Sequence, residues 1–434
     1  MNQTEALLAR VGAREVLARE MTSALPNVDA IVAHVREAGD AALAECAARF
    51  GDPAPRRVPT SEMRTALDAI EPTLRDALTR AAERIERFAR AQRDAFADLS
   101  FEAHGIVMGH RLIPIQRVGI YVPAGRHPLP SSLLMGAIPA RVAGVASRAV
   151  CTPRVTPVIL AAAALCGIEE LYELGGPQAI AALAYGTALV PKVDLIVGPG
   201  NAYVTAAKRA VYGACGIDAL AGASEIVVAA TDDADARIVA ADLLAQAEHD
   251  PQARAILITP SAAFADAVEA EVRRQLDELS TAQTARASLA ANGAAVVVPL
   301  AEIPALCNAL APEHLSLQGA QAEALAEQLR TYGTLFIGGA VGEVFGDYGS
   351  GPNHVLPTNG SARYSSGLSV LTFLTVRTFE RAGGAVDPGM IRDAEIIARA
   401  EGLDAHANAA TIRLDLSHVE QSDRGVCDER AGER

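Results

Sequence analysis

The stretch 117–152, RVGIYVPAGRHPLPSSLLMGAIPARVAGVASRAVCT, decides the fold. Residues 118–122 and 148–151 are short apolar runs, and 131–144 between them has the length and apolar content of a buried helix. Strand, proline-bounded turn, helix and strand make a βαβ unit with parallel strands covered on both faces. The alternation continues outward. Strands are predicted at 171–174 and 195–197, with helices at 157–166, 178–185 and 203–212. A second series has strands at 225–230, 255–259, 294–298 and 334–337 and helices at 233–249, 262–279, 303–310 and 320–332. Upstream, 28–50 and 61–96 show the three-to-four spacing of amphipathic helices. After Gly360 the chain turns irregular, then helical over 392–401. The fold class is α/β: two Rossmann-like but incomplete and non-standard α/β domains, with helical N- and C-terminal extensions.

Composition narrows the function. Half of the 434 residues are hydrophobic, enough for large cores, and the net charge of −14 comes with no basic cluster. Nucleic acid is therefore not an expected partner. The first twenty residues lack the pattern of a secretory leader, and the longest apolar run, near 158–168, is far shorter than the ~20 residues a membrane helix needs. The expected location is the cytoplasm, with no membrane partner. Six scattered cysteines form no C-x-x-C pair, and Cys166 and Cys307 read as small core residues. Lys192 and Lys208 are the only lysines, so a Schiff-base mechanism has two candidates and no P-loop lysine exists.

Several stretches carry chemistry. In LAQAEHDP (244–251), Gln246 and His249 lie three apart on one helical face, just before Pro251 ends the helix. The pair is half of a metal site or a helix end favouring a histidine through the macrodipole. Pro312-Glu313-His314 opens a strand and sets a carboxylate beside an imidazole, which suits proton transfer and also suits a surface Glu with a core His. GDYGSGPNHVLPT (346–358) fits neither helix nor strand and offers Asp347 and His354. EGLDAH (401–406) ends the last helix with Glu401 and His406. Gln, His, Asp and His form an N/O donor set suited to zinc. Glycine turns at 123–125, 175–178 and 198–201 follow predicted strands, where open α/β sheets bind ligands. None is G-x-G-x-x-G; they are ordinary tight turns or cofactor contacts through Gln178 and Asn201.

The segments GIYVPAGRHPLPSSLLMGAIPARVAGV, GGPQAIAALAYGT, VDLIVGPGNAYVTAAKR, AGASEIVV, DLLAQAEHDPQA, APEHL, GDYGSGPNHVLPT, SSGLSV and AEGLDAHA occur in this order between about 118 and 406. With them the chain resembles the histidinol dehydrogenase family, zinc-dependent enzymes that complete histidine biosynthesis. The resemblance implies oxidation of L-histidinol through the aldehyde to L-histidine, reducing two NAD per turnover. It implies Gln246, His249, Asp347 and His406 as ligands of one zinc per subunit. Glu313 and His314 become the catalytic pair, with His314 the base and Glu313 activating water. Ser224, His354 and Glu401 contact substrate together with the zinc ligands and His314, and Tyr121, Gln178 and Asn201 bind NAD. It further implies a homodimer in which His406 reaches the partner's site. The matching division is an N-terminal helical arm over 1–20, a main α/β domain from 21–112 and 226–368 with most zinc and catalytic residues, an NAD-binding α/β domain over 113–225, and a C-terminal helical extension over 369–434.

The chain departs from the family pattern at Ala124 for a glycine, Ala223 for a proline, and Thr372 and Thr375 where Asp and Lys are common. One rival is a related zinc- and NAD-dependent dehydrogenase of another alcohol, such as a sulfonated diol, which Arg126 favours as an anion seat. Glu401 favours histidinol, because a carboxylate suits a protonatable imidazole. The other rival, a binding or scaffold protein with a structural zinc, has no need of the Glu313-His314 pair.

Overall fold

The computed structural model describes residues 7–18, 26–124 and 128–414. Gly125 of the first turn, Arg126, Cys427 and the polar tail after 416 lie outside the described residues. In chain order the strands are β1 (Ala9–Arg10), β2 (Arg56–Val58), β3 (Leu99–Ala103), β4 (Ile106–Pro114), β5 (Arg117–Tyr121), β6 (Ser147–Thr152), β7 (Glu170–Glu173), β8 (Leu195–Val197), β9 (Gly216–Ile217), β10 (Glu225–Ala230), β11 (Arg254–Thr259), β12 (Ala294–Val297), β13 (His314–Gln318), β14 (Thr334–Ile337) and β15 (Leu374–Ala382).

The chain divides into two compact units: residues 1–93 with 115–373, and 94–114 with 374–434. The first unit holds two six-stranded sheets, ordered β2-β7-β6-β5-β8-β9 and β1-β12-β11-β10-β13-β14. Apart from the outermost strands β2 and β1, each reads 3-2-1-4-5 in its own chain order, the Rossmann order without its sixth strand. β2 joins antiparallel to β7, whereas β1 joins parallel to β12. The strand runs are apolar because helices cover both faces: every residue of β10 and β11 is buried. Helices follow the rules for their ends. Pro130, Pro157 and Pro177 occupy first-turn positions that need no N–H, and the side chains of Asn201, Asp235 and Ser261 cap helix starts by accepting backbone N–H groups.

β2 lies within residues 21–112, which the sequence grouping assigns to the sheet of β10, yet it pairs with β7. Helices Asp29–Ala38 and Thr60–Ala69 likewise pack on helices of the β5 sheet. Amphipathic spacing shows that a helix has a buried face without showing which sheet that face meets. Helices 28–50 and 61–96 are each divided, at Gly39 and at the Ile70-Glu71 step before Pro72. The helix expected over 320–332 stops at Glu323, with only a 3-10 turn at Ala326–Gln328. Downstream, Asn308 Oδ1 accepts the N–H of Arg330 at 2.7 Å and of Thr331 at 3.3 Å, diverting groups a helix would use.

The second unit is an antiparallel sheet, β15-β4-β3, with helix Pro388–Ala400 and a further helix over 404–414. The C-terminal extension, read as irregular and then helical, thus begins with a strand, β15, paired along its whole length with β4. Its alternating, half-exposed residues carry too little apolar signal to read as a strand.

Candidate active site

In the β10 sheet the reacting candidates gather where strands begin. Ser224 directly precedes β10, and Glu313 directly precedes its parallel neighbour β13, which opens with His314 opposite Ile226. Helix Ala236–Ala247 leaves the far end of β10 and runs back, so its last turn brings Gln246 and His249 to the same edge. The short helix Glu343–Asp347, following β14, brings two carboxylates there.

Glu313 is 5% exposed, and its Oε2 accepts from Ser224 Oγ at 2.5 Å and from the Glu225 N–H at 2.9 Å. Burial raises its pKa to about 8, against the opposing effect of those hydrogen bonds, so the carboxyl is largely protonated at neutral pH. His314 is 3% exposed, and burial lowers it to about 4, keeping the imidazole neutral. Its Nδ1 lies 3.2 Å from the Glu225 carbonyl. A carbonyl only accepts, so Nδ1 carries the hydrogen and Nε2 keeps the lone pair of a base.

The donor set forms beside this pair. His249 Nδ1 donates to the Ala245 carbonyl at 2.8 Å, leaving Nε2 as the ligand atom 3.5 Å from Asp347 Oδ2. A carbonyl that accepts from one ring nitrogen, and so leaves the other free, is the usual arrangement for a histidine at a metal. Burial disfavours the His249 cation, but the hydrogen bond and charge of Asp347 outweigh it and raise the imidazole to about 9. Burial likewise opposes the Asp347 carboxylate, but His249 and the other imidazoles hold it below its ordinary value. His354 Nδ1 donates to the Asp347 carbonyl at 3.0 Å, and its Nε2 lies 3.3 Å from Ser132 Oγ. Gln246 is fully buried. With its amide nitrogen toward Glu343, it donates to the two carboxylate oxygens at 3.0 and 3.3 Å, and its oxygen lies 3.0 Å from Ser224 Oγ, whose single hydrogen goes to Glu313.

Glu343 is the residue that the motif reading missed. With His249 and Asp347 it offers three ligand atoms within 4.8 Å of one another, a metal-capable cluster of oxygen and imidazole donors. Burial, reinforced by Asp347, pushes its carboxyl well above the ordinary range. The available signal was spacing: Glu343 lies four residues before Asp347 and so on one helical face, just ahead of the quoted glycine motif.

The loop carrying Asp347 is anchored to helices near the other sheet. Arg84 Nε donates to the Gly349 carbonyl at 2.6 Å, and Asn353 Nδ2 donates to the Met135 carbonyl at 2.7 Å. A cavity of about 720 Å³ adjoins these residues, lined by Leu78 and Ile85 of helix Pro72–Asp94, by Pro128, Leu129 and Leu134, and by His249, Asp347 and Tyr348.

The β5 sheet contributes the opposite edge, where strands end. Gly175-Gly176 follows β7 and Gly198-Pro199-Gly200 follows β8. Gly198 has φ +114°, and a Cβ there would lie 2.1 Å from the Tyr121 carbonyl oxygen, so the two strand ends approach closely only through glycine. Tyr121 is buried, and its hydroxyl accepts the Gly176 N–H at 3.1 Å. Gln178 is 1% exposed, and its Oε1 has no hydrogen-bond partner, an orphaned acceptor that suits a bound polar group. Asn201 Oδ1 accepts from the N–H groups of Tyr203 and Val204, both at 3.1 Å, so this oxygen serves as a helix cap. Glu401 and His406 belong to the second unit, both exposed, at the end of helix Pro388–Ala400 and in the helix after it. Cys166 and Cys307 are unpaired and buried, as read.

Fold and site together define an α/β enzyme with glycine-lined strand ends on one sheet and a proton-transfer pair beside metal-capable donors on the other. Residues 15–414 match the family model described as histidinol dehydrogenase. A histidinol dehydrogenase of Rhizobium meliloti (strain 1021) is 48% identical over 402 residues, covering 90% of this chain and 92% of that protein. One from Gluconobacter oxydans (strain 621H) is 46% identical, covering 89% and 92%. The crystal structure of histidinol dehydrogenase from Elizabethkingia anophelis superposes with a TM-score of 0.89 at 32% identity, covering 95% of this chain and 99% of that one. The chain belongs to the histidinol dehydrogenase family and is an NAD-dependent oxidoreductase. Among the described residues no helix is long and apolar enough to cross a membrane.

Proposed function

We propose that this enzyme oxidises L-histidinol through L-histidinaldehyde to L-histidine, the last step of histidine biosynthesis, in the cytoplasm. The observation that carries the reading is one strand edge holding the Glu313–Ser224 bond, a neutral His314 with Nδ1 committed to a carbonyl, and the His249–Asp347 donor pair. His314 Nε2 takes the hydroxyl proton while hydride leaves the carbinol carbon. Glu313, once ionised, takes a proton from water adding to the aldehyde, and the hydrated aldehyde loses a second hydride to give the acid. NAD, bound at the Tyr121, Gln178 and Asn201 edge, supplies the hydride acceptor for both oxidations. Gln246, His249 and Asp347, with His406 from a second copy, would hold one zinc ion per subunit, supplying a Lewis-acid seat for the substrate nitrogens. Ser224, His354 and Glu401 complete the substrate contacts, with Glu401 also from the second copy. The division into NAD-binding and catalytic α/β domains belongs to the same reading. The sulfonated-diol reading rests on Arg126, outside the described residues, and the relatives lend it no support.

The test is stoichiometry. Histidinol consumption yields about two NADH per molecule without aldehyde release, and zinc chelation abolishes turnover. A ratio near one with aldehyde accumulating removes the two-step assignment, and faster turnover of a sulfonated diol replaces the substrate. The shared site has its own test. Mixing H406A with E313Q chains restores about a quarter of wild-type activity if hybrid dimers share sites, and none if each chain is self-sufficient.

A further inference from the structure

All but two of the 38 basic residues are arginine, and one of the two lysines, Lys208, is 2% exposed. It lies on helix Ala202–Val211, and its Nζ donates to Asp218 Oδ1 at 2.6 Å and to the Gly198 carbonyl at 2.5 Å. The other oxygen of Asp218 accepts the Gly198 N–H at 2.7 Å. One buried ion pair therefore holds both polar backbone groups of the glycine at which β8 meets the end of β5. Asp218 is fixed in turn by the Ala219 N–H at 2.7 Å and by its own N–H bonding the Ile196 carbonyl at 3.1 Å.

We propose that Lys208 and Asp218 are positioning residues for the dinucleotide: they set the backbone of the Gly198-Pro199-Gly200 turn in its cofactor-binding shape. A buried ion pair is weak support for stability, since apolar residues of similar volume often serve as well. What this pair supplies is orientation. Fixing the N–H and the carbonyl of Gly198 fixes the peptide planes on both of its sides, and Pro199 restricts the next φ. A glycine at φ +114° has a wide choice of conformations, and the clamp selects one. The residue type fits this use. A compact ammonium with rotatable donors reaches a carboxylate and a carbonyl together, whereas the planar fork of arginine, which this chain uses almost everywhere else, demands a wider cradle.

The inference rests on the reading that this turn takes NAD, and calorimetric titration of NAD into the full chain without alcohol separates the two. The K208M and D218N variants are expected to bind NAD at least about tenfold more weakly and to show the same rise in KM for NAD. At saturating NAD kcat stays within about threefold of wild type, and KM for histidinol and zinc content do not change. K208R, which keeps the charge without the shape, falls with K208M, while K192A at the exposed lysine behaves as wild type. D218N preserves size and an acceptor for the Ala219 N–H, so it decides the matter if K208M does not fold. Variants that melt lower but bind NAD as tightly as wild type overturn the clamp. A wild-type chain that does not bind NAD overturns the cofactor reading and the clamp with it.

Discussion

In the β5 sheet the residues proposed for the cofactor lie at or just after strand ends; in the β10 sheet the side chains proposed to react lie at or just before strand starts. The strand orders match, so topology alone does not choose the edge. Helix polarity explains the division. Helices begin at the carboxyl edge of a parallel sheet, where free N–H groups and the positive end of the dipole suit a pyrophosphate. They end at the amino edge, where the negative dipole end and converging side chains suit a cation and proton transfer. Gln246 and His249 stand at such an end. The carboxyl edge of the β10 sheet, where the fold rule would place a ligand, carries a polar network of its own, in which Gln318 Oε1 stays without a partner. Thr231 Oγ1 donates to Asp233 at 2.6 Å, Asp233 accepts the Ala320 N–H at 2.7 Å, and Gln318 donates to Asp242 at 2.7 Å.

This comparison makes graded predictions. H314A should lower kcat about a thousandfold, the middle of the range for losing a general base, while NAD affinity measured by titration stays within about twofold. Loss of NAD binding in that variant would break the separation of the two edges. E313Q should still form aldehyde but slow its oxidation about a hundredfold, read as one NADH per histidinol. Because Glu313 titrates near 8 and acts ionised, wild-type aldehyde oxidation should rise with pH towards that value, and the residual rate of E313Q should not. G198A, on the other edge, should raise KM for NAD and cost about 1–3 kcal/mol of stability through backbone strain, with zinc content unchanged. The smallest effect on turnover belongs to the carboxyl edge of the β10 sheet. Burial holds the Asp242 carboxyl near 6, against 3.8 for the free group. The unfolded chain therefore ionises first, and stability falls as pH rises from about 4 to about 6. D242N should flatten that slope, removing on the order of 3 kcal/mol of pH-dependent change in denaturant titrations, without altering either KM.

Much of the first unit was legible because buried parallel strands are continuous apolar runs. Strands 195–197, 225–230 and 334–337 and helix 303–310 match the structure residue for residue, and most other bounds shift by one or two. Sheets built from half-exposed strands were not legible. β3, β4 and β15 mix apolar and charged residues, and β15 finds its partner about 260 residues away, at Leu374 opposite Pro114. No local pattern encodes such a pairing. At the site, motifs supplied Glu313, His314, His249 and Asp347, because their spacing or surrounding glycines stand out. Glu343 and Asp218 sit in ordinary-looking helix and loop text, and only burial and contact distinguish them; Lys208 stands out in the sequence as one of two lysines, but its partners do not.

The stretch 218–224 joins the two sheets. Its first residue, Asp218, holds the Gly198 turn, and its last, Ser224, donates to Glu313. Between them Ala221 accepts from Thr205 Oγ1 at 2.8 Å and Gly222 donates to Thr358 Oγ1 at 2.6 Å. For anyone re-engineering this scaffold, the segment is a ruler. A chain lengthened here by one residue is expected to lose the registration of the Gly198 turn against Glu313, and with it turnover, before it loses either sheet.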